Sequence, residues 1–277
     1  MEPTPTGGTH GVARPGFRPL GRLVPFVGVV LFLAALVVLH RELSAHGFAE
    51  LANGIRSLPP ASLLAGLALT LVSFGVLSAY EALAVRYADR ALDHARVAFA
   101  SFVGFAFSQA LGSPLLTGAP VRYRLYSAWE LSTDEIGRIV AFYTATSWVG
   151  VLAVLGGALL ALPGGLWVGT PLPAWALRSL GLAALAVLGG YAIWTFVAKE
   201  PLRIFSWELP VPSPALAGGQ VAAGVADWLV GAGVLYVLLP SGHGLPFPSF
   251  VAVFTLALAL GQISLVPGGL GVFEAAL

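Results

Sequence analysis

Apolar residues gather into seven runs along the chain, Leu23–Leu39, Ala61–Ala84, Val97–Leu111, Ile139–Leu162, Ala174–Val197, Ala215–Leu239 and Phe250–Val266, separated by connectors rich in Gly, Pro or charge. Runs of about 18 or more apolar residues are long enough to cross a bilayer as helices. The third run differs. Helical from Val97 to Leu111, it rises about 22 Å at about 1.5 Å per residue, short of a hydrocarbon core roughly 30 Å thick. It breaks at Gly112, Ser113 and Pro114, breaks again at Gly118 and Pro120, and then presents Arg122 and Arg124 beside Tyr123 and Tyr126. This pattern predicts a segment, Val97 to Pro120, that enters the membrane and turns back. Irregular backbone at membrane depth finds its hydrogen bonds only in protein or in a water-filled cavity, so the break implies a polar interior site.

Basic residues set the orientation, because cytoplasmic loops collect Lys and Arg. If all seven runs cross in alternation, the basic residues divide evenly between the two sides. With the third run re-entrant, Arg14, Arg18, Arg22, Arg86, Arg90, Arg96, Arg122, Arg124, Arg138, Lys199 and Arg203 share one side, and only Arg41, Arg56 and Arg178 face the other. The charge bias thus favours the re-entrant topology, with the N-terminus cytoplasmic. Residues 1–22, rich in Gly, Pro and Thr and without apolar periodicity, are expected to form a disordered basic tail. Residues 23–277 form the membrane domain.

The last run repeats the third. Gln109 precedes Pro114 by five residues and Gly118 follows by four; Gln262 precedes Pro267 by five and Gly271 follows by four. The second break runs Pro267, Gly268, Gly269, Leu270, Gly271. Under the charge-based topology the two breaks enter from opposite sides, the arrangement of an inverted repeat. The expected fold is all-α: a polytopic helical membrane protein of about five full spans plus two re-entrant broken helices. The repeat also implies a further helix after Leu277, so the domain is expected to be incomplete at its C-terminal end.

Composition fits this setting, at 57% hydrophobic and 10% charged residues, against about 25% charged in a soluble domain. The arginines are scattered between apolar runs and form no single basic face, so nucleic acid is not an expected partner. Without cysteine there is no thiol nucleophile, and the five dispersed histidines offer no ligand cluster. No metal or other cofactor is expected. An ionisable residue inside a span is a functional candidate by default. Asp227, in the middle of Ala215–Leu239, fits best. Glu274, seven residues beyond Pro267, would face the same cavity. Glu81 stands five residues from Arg86 and reads as an interfacial pair with it. Gln109 and Gln262 are neutral hydrogen-bonders at depth. Arg122 and Arg124 offer guanidinium forks that suit a lipid phosphate, although they share a face only in an extended chain; in a helix they diverge by about 200°.

Gly104-Phe105-Ala106, Leu116-Thr117-Gly118-Ala119-Pro120-Val121-Arg122-Tyr123-Arg124-Leu125-Tyr126-Ser127, Leu131-Ser132 with Glu135-Ile136, and Val266 to Glu274 resemble the transmembrane region of bacterial lysylphosphatidylglycerol synthetase/flippases, the multiple peptide resistance factor family. The resemblance implies a domain of the bacterial cytoplasmic membrane that moves aminoacylated phosphatidylglycerol from the inner to the outer leaflet and so weakens the attraction of cationic antimicrobial peptides. Family members carry a separate cytosolic synthase domain, which this chain lacks, so no transferase activity is expected of it alone. Expected partners are the bilayer, a phospholipid with a charged headgroup, and a synthase domain or a second copy of the chain. Two other readings use the same features: a secondary transporter of a soluble substrate or ion, and a membrane anchor for a synthase.

Overall fold

The computed structural model describes residues 53–54, 56–111, 118–161, 173–204, 207–239 and 244–263. Among them are seven helices: α1 (Pro60–Tyr87), α2 (His94–Leu111), α3 (Ala119–Ala128), α4 (Thr133–Ala161), α5 (Ala174–Val197), α6 (Pro214–Val237) and α7 (Phe247–Ile263). Four of these, α1, α4, α5 and α6, are long and apolar enough to cross a membrane. The expected all-α membrane architecture is therefore the one observed. The tail 1–22, the run Leu23–Leu39, the break residues Gly112, Pro114, Pro267, Gly268, Gly269 and Gly271, and Glu274 lie outside the described residues.

Large apolar side chains cover the outside of the bundle. Leu64, Leu67 and Leu71 on α1, and Trp175, Leu182, Ile193 and Phe196 on α5, are all exposed. Such a surface is stable only against lipid or another apolar surface. Inside, α4 is the most buried of the four spanning helices and packs against α1, α3, α5, α6 and α7. One core gathers Tyr80, Ala84, Val97, Tyr126, Ile136, Ile139 and Phe142; another gathers Val151, Leu155, Leu159, Trp228, Phe250 and Phe254.

The third apolar run doubles back. Arg96 near the start of α2 sits over the Trp129 ring just past the end of α3, 5.8 Å from its centroid. One step deeper, a Cβ built on Gly104 of α2 would lie 2.8 Å from Arg122 Cζ of α3. Deeper again, Gly118 at the start of α3 packs directly on Ser108 of α2. The two arms are antiparallel and their outer ends meet. Arg90 and Glu135 close the same end of the bundle with an ion pair at 2.7 Å, and Glu135 also accepts from the Ser132 backbone N–H at 2.7 Å, completing a capping box at the start of α4. The chain lacks native cysteines, which makes the hairpin directly testable: cysteines introduced singly at Arg90 and Ser127 will react with a membrane-impermeant maleimide from one side of the membrane, and one at Arg178 from the other. Opposite-side labelling at 90 and 127 would disprove the hairpin.

The repeat extends well beyond the two breaks. The separation that relates Gln109 to Gln262 also relates His94, the first residue of α2, to Phe247, the first of α7, and Gly66 of α1 to Gly219 of α6. Helices α1 and α6 pack antiparallel, and each of these glycines receives a leucine from the far end of the other helix. A Cβ on Gly66 would lie 3.3 Å from Leu238 Cδ2, and one on Gly219 would lie 3.1 Å from Leu83 Cδ2. The two contacts run in opposite directions and are related only approximately by a two-fold axis in the membrane plane, since the same separation carries Leu83 onto Tyr236, two positions short of Leu238.

Helices α4 and α6 touch backbone to backbone. A Cβ on Gly224 would lie 2.7 Å from the Gly150 Cα, and Trp228 Nε1 donates to the Ser147 carbonyl at 3.2 Å. Because the obstructing atoms are main chain, Gly224→Ala can be accommodated only by moving the helices apart. It is expected to lower the unfolding free energy by about 1–3 kcal/mol, the usual cost of overpacking; a thermal unfolding midpoint equal to that of the parent protein would contradict the close approach.

One element is absent from the apolar pattern. The connector after α5 forms a two-stranded antiparallel ribbon, β1 (Leu202–Ile204) with β2 (Trp207–Leu209), pairing Arg203 with Glu208.

Candidate functional site

Pro120 in the first turn of α3 has the fixed φ that a helix start favours, and the helix that follows decides the fate of the two arginines. Arg122 and Tyr126, four residues apart, share its inward face and are both buried. Arg124 lies on the opposite face and is exposed. Space for the Arg122 guanidinium comes from Gly104 and Gly118, since a Cβ on Gly118 would stand 2.9 Å from Nη1.

Glu81 takes the fork of Arg122. Nε donates to Oε1 at 2.9 Å and to Oε2 at 3.1 Å, and Nη2 donates to Oε2 at 2.8 Å. The Tyr126 hydroxyl donates to Glu81 Oε1 at 2.6 Å. Glu81 is 0% and Arg122 2% exposed, so this is an ion pair withdrawn from both water and lipid. The interfacial pairing of Glu81 with Arg86 expected from sequence is therefore corrected: α1 turns Glu81 inward, toward the Arg122 guanidinium, while Arg86 is exposed. Removing two charges from water costs several kcal/mol each, and only close, multiply hydrogen-bonded geometry offsets this.

From this pair the network continues across the bundle. The Arg122 guanidinium lies over the Tyr143 ring of α4, 4.0 Å from its centroid. Tyr143 packs on Tyr80 of α1 with ring centroids 5.5 Å apart, and the Tyr80 hydroxyl donates to Asp227 Oδ2 of α6 at 3.2 Å. Asp227 is half-buried. Two of the sequence candidates, Arg122 and Asp227, thus belong to one array, joined through Glu81 and Tyr126, to which the sequence reading assigned other settings, and through Tyr80 and Tyr143, which it did not single out. Adjacent Tyr80 and Glu81 deep in an apolar run were the visible signal. Gln109 and Gln262 stand near the inner ends of α2 and α7, the arms that lead to the two breaks.

A second polar cluster lies about two turns before Asp227 on α6. Buried Gln220 donates from Nε2 to Thr146 Oγ1 at 3.0 Å and accepts from the Tyr191 hydroxyl, tying α6 to α4 and α5. Among the described residues no group of three His, Cys, Asp or Glu side chains is placed to hold a metal ion. The array can hold or exchange paired charges, and it carries no nucleophile with an adjacent base.

Comparison with known proteins agrees with these observations. Residues 26–277 match the model of the lysylphosphatidylglycerol synthase TM region. The chain is 34% identical over 248 residues to the protein slr0712 of Synechocystis sp., covering 90% of this chain and 77% of that protein. It is 28% identical over 252 residues to the inner membrane protein YbhN of Escherichia coli, covering 89% of this chain and 77% of that one. With a helical hairpin, a buried charge pair and apolar outer faces, the chain belongs to the lysylphosphatidylglycerol synthase transmembrane-region family, multi-pass membrane proteins linked to lipid handling.

Proposed function

We propose that this chain translocates a phospholipid with an amine-bearing headgroup, of the lysylphosphatidylglycerol type, from the cytoplasmic to the outer leaflet of the inner membrane. The observation that carries this reading is the array running from buried Glu81–Arg122 to half-buried Asp227, across the two inverted halves. An aminoacyl phospholipid carries an anionic phosphate and cationic amines; Arg122 matches the first, Glu81 and Asp227 the second. The internal pair occupies its own charges while no headgroup is present, and a headgroup of both signs can replace each partner for the other. A simple anchor has no use for charges at that depth, where each costs roughly 2.5–3.5 kcal/mol on insertion scales. Glu274 and Gln262 near the second break, and Gln109 near the first, would line the same route. Placing Arg86, Arg90, Arg96, Arg138 and Lys199 on the cytoplasmic side follows the positive-inside rule. Delivery of the cationic lipid to the outer leaflet would lower the attraction of cationic peptides, and a separate synthase would supply the substrate.

The test is transport by the full chain reconstituted into vesicles with lysylphosphatidylglycerol in the inner leaflet, read by an amine-reactive reagent that cannot cross the bilayer. Outer-leaflet amine will rise faster than in protein-free vesicles. Equal rates would overturn the reading. Faster movement of a soluble cation with no lipid movement would place the chain among secondary transporters.

A further inference from the structure

A cavity of about 460 Å³ opens at the basic end of the bundle, apart from the buried array. Its lining includes Arg138 of α4, Thr195 of α5, Lys199, Glu208 of the ribbon, Pro210 and Ser213. Arg203 holds Glu208 at 3.0 Å and compensates its charge, whereas Arg138 and Lys199 have no ion-pair partner among the described residues. Ser213 is the N-cap of α6, its hydroxyl accepting from the Leu216 N–H, so the positive end of a long helix dipole adds to the two cations. The wall is held in shape by the Tyr87 hydroxyl, which donates to the Pro210 carbonyl at 2.6 Å, with the Tyr87 ring stacked on Phe142 at 4.6 Å.

The geometry points to a second binding site here, one that takes a phosphate group, and the surroundings assign that phosphate to a lipid headgroup. Directly beside the cavity, Ile193, Phe196 and Val197 on the last turns of α5 are 65%, 74% and 69% exposed, and Leu202 of the ribbon is 46% exposed. A pocket for free phosphate needs no such border. A headgroup lodged between Arg138, Lys199 and the α6 N-terminus leaves its acyl chains lying along the α5 face. The ribbon then serves as the polar wall that holds the headgroup at the membrane boundary. This site is independent of the transport reading, because it is measured by binding alone.

Calorimetric titration of the full chain in a neutral detergent tests it, using dihexanoyl phosphatidylglycerol, dihexanoyl phosphatidylcholine and inorganic phosphate as separate probes. Each basic residue near a membrane surface contributes about 1 kcal/mol toward an anionic lipid, so Arg138→Gln with Lys199→Gln is expected to weaken phosphatidylglycerol binding about 10-fold or more. Lys199→Gln alone, at an exposed position that does not bear on folding, is expected to weaken it about fivefold. Arg178→Gln, at the opposite end, will leave it unchanged. Unchanged affinity in the Lys199→Gln variant would overturn the site. So would phosphatidylcholine binding as tightly as phosphatidylglycerol, while inorganic phosphate binding as tightly as the anionic lipid would overturn its assignment to a lipid.

Discussion

Arg122→Ala will lower the unfolding free energy by about 3–5 kcal/mol, because it leaves the Glu81 carboxylate charged, buried and without its fork of donors. The remaining Tyr126 hydroxyl supplies one hydrogen bond to Oε1 and cannot neutralise the charge. Loss of the guanidinium also empties the seat between Gly104, Gly118 and the Tyr143 ring, adding a cavity to the charge penalty. Replacing both partners, Glu81→Leu with Arg122→Met, removes the stranded charge and is expected to recover most of that stability, as apolar substitutes for buried ion pairs commonly do. On the proposed transport reading, transport will stay lost in the double variant, since the headgroup phosphate then has no Arg122 to meet and the amines keep only Asp227. Thermal unfolding in detergent, paired with the vesicle assay, separates the two roles. A double variant that transports at the parent rate would make the pair purely structural.

On the proposed transport reading, Asp227→Asn is the second large effect, and it falls mainly on transport. Asparagine keeps an oxygen that can accept from the Tyr80 hydroxyl, now 3.2 Å from Oδ2, so stability should change by less than about 1 kcal/mol. What disappears is the negative charge. A charge-assisted hydrogen bond contributes about 1.5–3 kcal/mol, which corresponds to a fall in transport of about 10-fold or more when the substrate's amine loses its counter-charge. Tyr80→Phe, which removes the hydroxyl and keeps the carboxylate, is expected to have a smaller effect. Transport by Asp227→Asn at the parent rate, with normal membrane insertion, would remove Asp227 from the substrate path.

Much of the architecture was readable because membrane segments announce themselves by length and hydropathy. The shortness of Val97–Leu111 and the distribution of arginines pointed independently to the hairpin in which Arg96 now meets Trp129. The repeat was visible at three positions around each break; its reach back to Gly66 and Gly219 needed coordinates, since a glycine's partner cannot be inferred from the glycine. The main error concerned Glu81. Proximity along the chain favoured Arg86, but five positions on a helix do not put two residues on one face, and the true partner, Arg122, stood 41 residues later on another helix. Of the three tyrosines of the array, Tyr126 stood out only as a neighbour of the arginines, and Tyr80 and Tyr143 were not singled out. Only the arrangement of α1, α3, α4 and α6 distinguishes a Tyr hydroxyl aimed at Asp227 from one that meets water. The ribbon at Leu202–Leu209 escaped notice because three-residue strands carry almost no periodic signal.

The two-fold relation between the halves stops short of the charges. Under the separation that carries Gly66 onto Gly219, Glu81 falls on Val234, Arg122 on Ala275, and Asp227 on Phe74. Swapping the halves therefore reproduces the backbone but not the latch. Among the described residues one orientation is bolted by a salt link with no counterpart in the other, so on the proposed transport reading the rest position is biased toward the first, and a cargo able to undo that bolt would tip the balance toward the other.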